Sequence, residues 1–246
     1  MELLKSHSSI RKYLTANINQ KLLNDILECG IRSSNTGNMQ LYSIIVTQNS
    51  DQKALLAHLH FNQPMVLQAP VLLTICYDIN RFSIWCKQNN TEASFSDLLL
   101  LLNGAIDSAI LAQNICIAAE DYGLGICYLG TTLYNAPEIS NVLNLPRGVI
   151  PITTLTMGYP EAVPNLTDRL PLNAVVHYEE YEDYIPEKIY EIYRDRENLE
   201  ASREYVKVND KDNLAQVFTE VRYKKDDSLY FSEKLKKMLI EQGFSF

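Results

Sequence analysis

A long segment, residues 95–122, limits the folds open to this chain more than any other feature, because it lacks proline and is apolar on several faces of a helix. Its apolar positions are residues 98–102, Ile106, Ile110, Leu111, Ile115, Ala118 and Ala119. A helix of this kind has to be covered by other structure. We therefore predict a buried helix at a domain centre or a subunit interface, ended by Gly123 and Gly125.

Neither a membrane span nor a secretion signal is expected. The most apolar run, residues 98–102, lies between Asp97 and Asn103 and is far shorter than the roughly 20 residues that cross a bilayer. The N-terminal segment has no apolar stretch typical of a signal peptide. The five cysteines include no C-x-x-C pair. We therefore expect a cytoplasmic protein with reduced cysteines and no membrane partner.

The charged residues are unevenly distributed. The net charge of −8 argues against a protein that mainly neutralises nucleic-acid phosphates. Residues 178–246 hold 29 of the 52 charged side chains. We therefore predict a domain over residues 1–177 and a charged helical extension over residues 178–246, which packs on that domain or on a partner subunit.

Apolar periodicity predicts helices and strands in alternation. The predicted helices lie at about 19–31, 51–59, 95–122, 137–143, 187–205 and 232–242, and the predicted strands at 41–48, 70–77, 126–129 and 149–157. Asn19 and Ser232 are expected to begin the first and last of these helices, and Gly243 to end the last. A loop through Pro64 is predicted between the second helix and the second strand. This order favours a mixed α/β or α+β sheet over a helical bundle.

Three polar segments are candidates for ligand binding. In residues 7–11, Ser9 and Arg11 point to the same side of an extended chain and suit a phosphate or a polar ring edge, although a solvated arm is the alternative. Residues 33–40 supply neutral donors for a ribityl chain or a heteroaromatic ring, or form only a polar turn. Residues 167–171 contain a lone arginine, Arg169.

Glycines at residues 123–130 would let a backbone amide approach a flat ligand. Tyr128 takes the place of the third glycine of G-x-G-x-x-G, so a Rossmann phosphate loop is not supported.

Taken in order and spacing, these motifs resemble the nitroreductase and flavin reductase family over about residues 5–175. The resemblance also includes Q-x-x-V-x-x-A-P at residues 63–70, Y-x-G at residues 128–130 and R-L-P at residues 169–171. It implies an α+β fold with a central mixed sheet flanked by helices, an FMN cofactor and a homodimer. It further implies ping-pong hydride transfer from NAD(P)H to a small electron acceptor such as a nitroaromatic compound, a quinone or a flavin.

The resemblance also assigns residues to the cofactor. It places His7, Ser9 and Arg169 at the FMN phosphate and ribityl oxygens, and Arg11 at the pyrimidine end of the flavin. Hydrogen bonds from across the dimer interface would come from Ser34, Asn38 and Gln40, with Gln63 also near the ring. Tyr128, Leu129 and Gly130 would line the isoalloxazine, with a backbone N–H facing N5. No catalytic side chain and no metal are expected, because the hydride chemistry belongs to the flavin.

Two departures from the family pattern keep a second function open. Ser8 and Thr167 stand where the family has basic residues, so the phosphate site carries less positive charge. The alternative is a non-catalytic flavin-binding or regulatory protein of the same fold.

Three further features have structural and functional interpretations. His58 and His60 are expected to be structural rather than metal ligands, and Cys127 to be a buried cysteine rather than a redox thiol. The basic cluster at residues 222–225 could receive the extra phosphate of NADPH, although a solvated patch is expected.

Overall fold

The computed structural model describes residues 1–93 and 97–245 of the chain. The chain divides into two units, Met1–Asn165 together with Phe231–Phe246, and Leu166–Tyr230. The strands and the long apolar helix belong to the first unit. The predicted boundary at residue 177 falls inside the second unit.

The first unit combines helices with one sheet. Its helices are α1 (Glu2–Lys5), α2 (Gln20–Ile31), α3 (Ser50–Leu59), α4 (Pro64–Gln68), α5 (Asn80–Gln88), α6 (Leu98–Asp121) and α7 (Ala136–Val142). Its strands are β1 (Tyr42–Thr47), β2 (Val71–Asp78), β3 (Gly125–Leu129) and β4 (Val149–Gly158). This composition confirms the α+β class, with the predicted strands close to their predicted positions.

The strand order in the sheet is β1-β2-β4-β3, and the pairings between these four strands are all antiparallel. An isolated bridge between Asp97 and Ser245, outside the named strands, is parallel. The four-stranded sheet is therefore antiparallel where a mixed sheet is expected. Thr47 pairs with Leu72, so β2 begins at the end of the sheet where β1 stops. The two short helices between these strands return the chain to that end. Only one of them, α3, is predicted from the sequence.

Helix α6 is the centre of the first unit. It packs against β2, β4 and α2, and Leu111, Ile115 and Ala119 on this face are fully buried. Two glycines permit the close approach of α6 to α2 and to β2. A Cβ on Gly30 of α2 would lie 2.4 Å from Ile115 Cγ1, and a Cβ on Gly104 of α6 would lie 2.0 Å from the Tyr77 ring. The predicted buried helix is confirmed from Leu98 onward, with Asp97 as its N-cap. Its predicted first turn at Phe95 lies outside the described residues.

By length and composition alone α6 could cross a membrane. Ten of its residues are nevertheless buried inside the first unit. One of these is Asp107, whose carboxylate accepts hydrogen bonds from the Thr36 N–H and hydroxyl. We therefore describe α6 as the core helix of a folded unit.

Two helices are absent from the sequence predictions. Pro64 suggests a loop, but it lies in the first turn of α4, where a missing N–H removes no helical hydrogen bond. Helix α5 follows β2 almost directly, and the Asp78 carboxylate at the end of β2 accepts the Arg81 N–H in its first turn over 3.1 Å. The helices predicted at about 19–31, 51–59 and 137–143 are confirmed as α2, α3 and α7, and the Asn19 side chain accepts the Leu22 N–H as expected.

The second unit contains α8 (Pro186–Asn198), α9 (Glu200–Val208), α10 (Leu214–Gln216) and a π-helical turn (Val217–Arg222). The single helix predicted at 187–205 is wrong, because extended backbone at Leu199 separates α8 from α9. The final helix, α11 (Lys225–Glu241), begins seven residues before the predicted Ser232. Asp226 and Asp227 in its first turn stabilise that earlier start through the helix dipole.

Candidate functional site

The N-terminal segment lies along the edge strand β3. The Ile10 N–H donates to the Ile126 carbonyl over 2.9 Å. The Ile10 side chain occupies the space beside Gly125, where a Cβ would lie 2.4 Å from Ile10 Cγ1. Burying Ile10 leaves its neighbours Ser9 and Arg11 outside the core. Because Ile10 is buried beside β3, the Ser9 hydroxyl and the Arg11 guanidinium on either side of it are held near this strand.

Arg11 is an exposed cation without a partner. Within residues 1–93 and 97–245 its guanidinium makes no hydrogen bond and no ion pair. It lies near enough to Cys127 that its charge opposes the burial that raises the pKa of that thiol. The prediction that Cys127 is a buried cysteine is confirmed. Arg11 is therefore available to an anionic or electron-rich ligand beside β3.

His7 is held by α6. Its Nδ1 lies 2.6 Å from Glu120 Oε1, and the Cys116 thiol donates to the same oxygen over 3.7 Å. These three side chains are close enough to share a metal ion. However, burial and then the Glu120 charge raise the pKa of Cys116 to about 12, which disfavours the thiolate that a metal requires. We interpret the group as an anchor that ties the N-terminal segment to α6 and leaves His7 Nε2 for a ligand.

The end of β3 exposes backbone. Side chains alternate along the strand, so the Tyr128 hydroxyl reaches Gln113 on α6 over 3.3 Å, while Leu129 is buried on the other side. Burial raises the pKa of Tyr128, which keeps its phenol neutral. Gly130 is exposed, and a Cβ built there would meet nothing within 4 Å. The Gly130 backbone is therefore open to a flat ligand.

Gln63 lies beside this turn. Its Nε2 donates to the His60 carbonyl over 3.1 Å and to Thr131 Oγ1 over 3.5 Å. His60 Nδ1 is 2.8 Å from the same Thr131 oxygen. His58 is exposed whereas His60 is fully buried, so the two rings occupy different environments. The His60–Thr131 contact is not predicted from the sequence. The position of Thr131 directly after Gly130 was the available signal.

The polar loop at residues 33–40 is fixed mainly by its contacts with α5 and α6. Asp107 binds Thr36, and the Arg81 guanidinium donates to the Gln40 carbonyl. Ser34 and Asn38 are exposed, and Gln40 Nε2 donates to Asn38 Oδ1 over 3.3 Å. Among the described residues, no hydrogen bond connects this loop to Arg11, Gln63 or Gly130. Hydrogen bonding within one chain therefore does not bring the two predicted halves of the site together.

Arg169 belongs to the second unit and is exposed. Its Nη1 donates to Thr167 Oγ1 over 2.7 Å and to the Asp168 carbonyl over 2.9 Å. Thr167, which replaces a basic residue of the family pattern, therefore orients Arg169. In the predicted basic cluster, the Arg222 guanidinium lies over the Tyr205 ring, 5.1 Å from its centroid.

The donor groups beside β3 fit a flavin. They are the Arg11 guanidinium, which has no partner among the described residues, the amide of Gln63, the hydroxyl of Ser9 and an open glycine backbone. Neutral donors and a cation match the carbonyls, ring nitrogens and ribityl oxygens of such a ligand. We therefore take β3, the segment before it and the Gln63 turn as the candidate site.

Comparison with known proteins matches residues 50–159 to the model of the nitroreductase family. An NADPH-flavin oxidoreductase of Vibrio harveyi is 32% identical over 183 residues, which cover 74% of this chain and 75% of that protein. An FMN reductase (NAD(P)H) of Bacillus subtilis strain 168 is 33% identical over 180 residues, 72% of either chain. A crystallised protein of Bacteroides fragilis is 46% identical, covers both chains completely and superposes with a TM-score of 0.98.

Proposed function

The chain belongs to the nitroreductase family, and from this premise we propose that it is an FMN-dependent NAD(P)H oxidoreductase that works as a homodimer. The proposed acceptors are nitroaromatic compounds, quinones or flavins. The named relatives support this class of activity, since one is an NADPH-flavin oxidoreductase and another an FMN reductase.

The observation that carries the proposal is that β3 has an unpartnered cation near one end and open backbone at the other. Arg11 lies near Cys127, and Gly130 follows the last residue of β3. Three residues of extended strand span roughly 10 Å. A ring that contacts both ends would therefore have a cation at one edge and a backbone N–H at the other.

The chemistry that FMN would supply at this site is hydride transfer between NAD(P)H and the electron acceptor. The protein's part is to hold the ring and stabilise charge. Arg11 would stabilise negative charge on the pyrimidine end of the reduced ring, since a fixed cation is strongest where water is excluded. The Gly130 backbone N–H and the Gln63 amide would donate to the ring. His7 and Ser9 would hold the phosphate and ribityl oxygens, and Tyr128 and Leu129 would shape the strand that lines the site.

The homodimer is supported by the outer face of α6. Leu99, Leu102, Ile106 and Ile110 form an exposed apolar stripe at helical spacing, and Leu99 is 70% exposed. An exposed apolar stripe on a core helix indicates an interaction surface. We infer that a second copy covers this stripe. In such a dimer, Ser34, Asn38 and Gln40 would contribute to the partner's flavin site.

A spectrum of the purified protein tests the proposal. We expect flavin absorbance, or its appearance when FMN is added, and bleaching by NADH or NADPH without oxygen. A colourless protein that takes up no FMN would contradict the proposal. Bound flavin that neither nucleotide reduces would instead favour the non-catalytic flavin-binding alternative, which the missing charges at Ser8 and Thr167 motivate.

A further inference from the structure

His60 is a buried histidine with only one of its ring nitrogens in a hydrogen bond. Its side chain is fully buried, and Nδ1 lies 2.8 Å from Thr131 Oγ1. Nε2 has no hydrogen-bond partner among the described residues. Burial lowers the pKa of His60 to about 4, so the ring is neutral at neutral pH. A buried polar atom without a partner costs free energy, and such costs are concentrated at functional sites.

The Thr131 hydroxyl joins two side chains. Gln63 Nε2 can only donate, so Thr131 Oγ1 accepts from it over 3.5 Å. His60 Nδ1 is hydrogen-bonded to the same oxygen over 2.8 Å, as donor or acceptor according to the tautomer of the ring. This chain of hydrogen bonds joins a buried ring to a residue that directly follows Gly130.

The backbone between His60 and Gln63 is strained. Phe61 and Asn62 have φ values of 55° and 54°, in the left-handed region that a bulky side chain rarely adopts. The Asn62 N–H donates to the Ala57 carbonyl over 2.8 Å, which holds the turn at the end of α3. Strain of this kind persists only where the surroundings enforce it, and here it directly precedes Gln63.

We propose that His60 is a positioning residue: through the Thr131 hydroxyl it fixes the Gln63 amide and the Gly130–Thr131 backbone in the orientation that contacts the flavin ring. This inference rests on the proposed function. His60 does not contact the ring and transfers no proton. Its effect is to remove the freedom of two donors before the ligand arrives, which lowers the ordering cost of binding.

Conservative variants of Thr131 test the proposal with little risk to folding. Thr131→Val removes the hydroxyl and keeps the shape, whereas Thr131→Ser keeps the hydroxyl. We expect Thr131→Val to weaken FMN binding about 3- to 10-fold, the effect of one neutral hydrogen bond, and to shift the flavin absorbance band. Thr131→Ser should restore both. The dissociation constant is measured from the quenching of flavin fluorescence.

Histidine variants provide the second part of this test. His60→Leu should reproduce the effect of Thr131→Val. The matched control is His58→Leu, at an exposed histidine in the last turn of α3. Unchanged affinity and spectrum in Thr131→Val, or an equal loss in Thr131→Ser, would overturn the proposal. A wild-type protein that binds no FMN would contradict the proposed function itself, so the two failures are distinguishable.

Discussion

The chemistry of individual side chains in this chain depends on which neighbours are buried. Arg11 is free for a ligand because Ile10, beside it, is packed against Gly125. His60 and His58 are two residues apart, yet one is fully buried and the other exposed. Residue type alone therefore identifies candidate hydrogen-bond donors. Their burial then separates the side chains that can contact a ligand from those that hold other side chains in place.

Replacing Arg11 tests the role of the free cation. We expect Arg11→Ala to lower the flavin reduction potential and to slow flavin reduction by NADPH about 100-fold, because a fixed charge that stabilises the reduced ring is lost. Potentiometric titration and stopped-flow absorbance measure the two effects. Lys12→Ala, which removes an exposed cation at the next position, should leave both unchanged. An unchanged potential in Arg11→Ala would contradict the assignment.

The buried His60 makes stability depend on pH. Its folded pKa of about 4 lies below the ordinary value of 6.5, so the unfolded chain binds the proton more readily. The resulting contribution is present above pH 6.5 and is lost as the pH falls towards 4. We expect a loss of about 2–3 kcal/mol between pH 7 and pH 4.5, measured by urea unfolding.

A comparison of histidine variants isolates this effect from the titration of carboxylates. His60→Leu should reduce the pH dependence by that amount, whereas His58→Leu should retain it. Equal pH dependence in wild type and His60→Leu would show that His60 does not remain neutral in the folded protein.

Helix α6 and strand β3 each have two faces with different surroundings. Helix α6 buries Leu111 and Ile115 in the core and leaves Leu102 and Ile106 exposed. Strand β3 directs Tyr128 towards α6, and Leu129 on its other face packs in a buried cluster with Leu56 and Leu72. The apolar pattern predicted both α6 and β3, but not what covers each of their faces. A pattern of apolar residues is the same whether they are buried by their own chain or by a second one.

The exposed stripe of α6 gives a test of the homodimer. Ile106→Glu places a charge in the proposed interface, and we expect it to convert the dimer into a monomer in sedimentation experiments, because a buried unpaired charge is costly. Val163→Glu changes another exposed apolar residue and should leave the assembly intact. A dimer that persists in Ile106→Glu would place the interface elsewhere.

Taken as a whole, the chain returns at its C-terminal end to the unit where it began. Phe244 is buried, and its ring centroid lies 5.9 Å from that of Tyr77 in β2. Gln242 accepts from Arg147 Nε over 3.1 Å and from the Gly148 N–H over 2.8 Å. The final residues of the charged extension therefore belong to the core of the first unit.

Truncation of the Phe244 side chain tests how much this C-terminal contact contributes to the free energy of unfolding. We expect Phe244→Ala to lower the free energy of unfolding by about 3–5 kcal/mol, the usual cost of removing a buried aromatic ring. Phe218→Ala, at a ring that is 40% exposed, should cost less. Equal losses in chemical denaturation would show that the C-terminal contact contributes little.

The sequence was sufficient to predict the α+β class, the four strands and the buried helix, because periodicity reports which side chains avoid water. Family resemblance assigns both Gln63 and Gly130 to the flavin ring, and Gln63 lies beside Thr131, the residue after Gly130. The sequence did not predict α4, where the proline lies in the first turn, the early start of α11, where two acidic residues favour the helix, or the break at Leu199. The antiparallel pairings, the free Arg11 and the His60–Thr131 contact required the folded chain, because each depends on groups that are distant in sequence and meet only through packing.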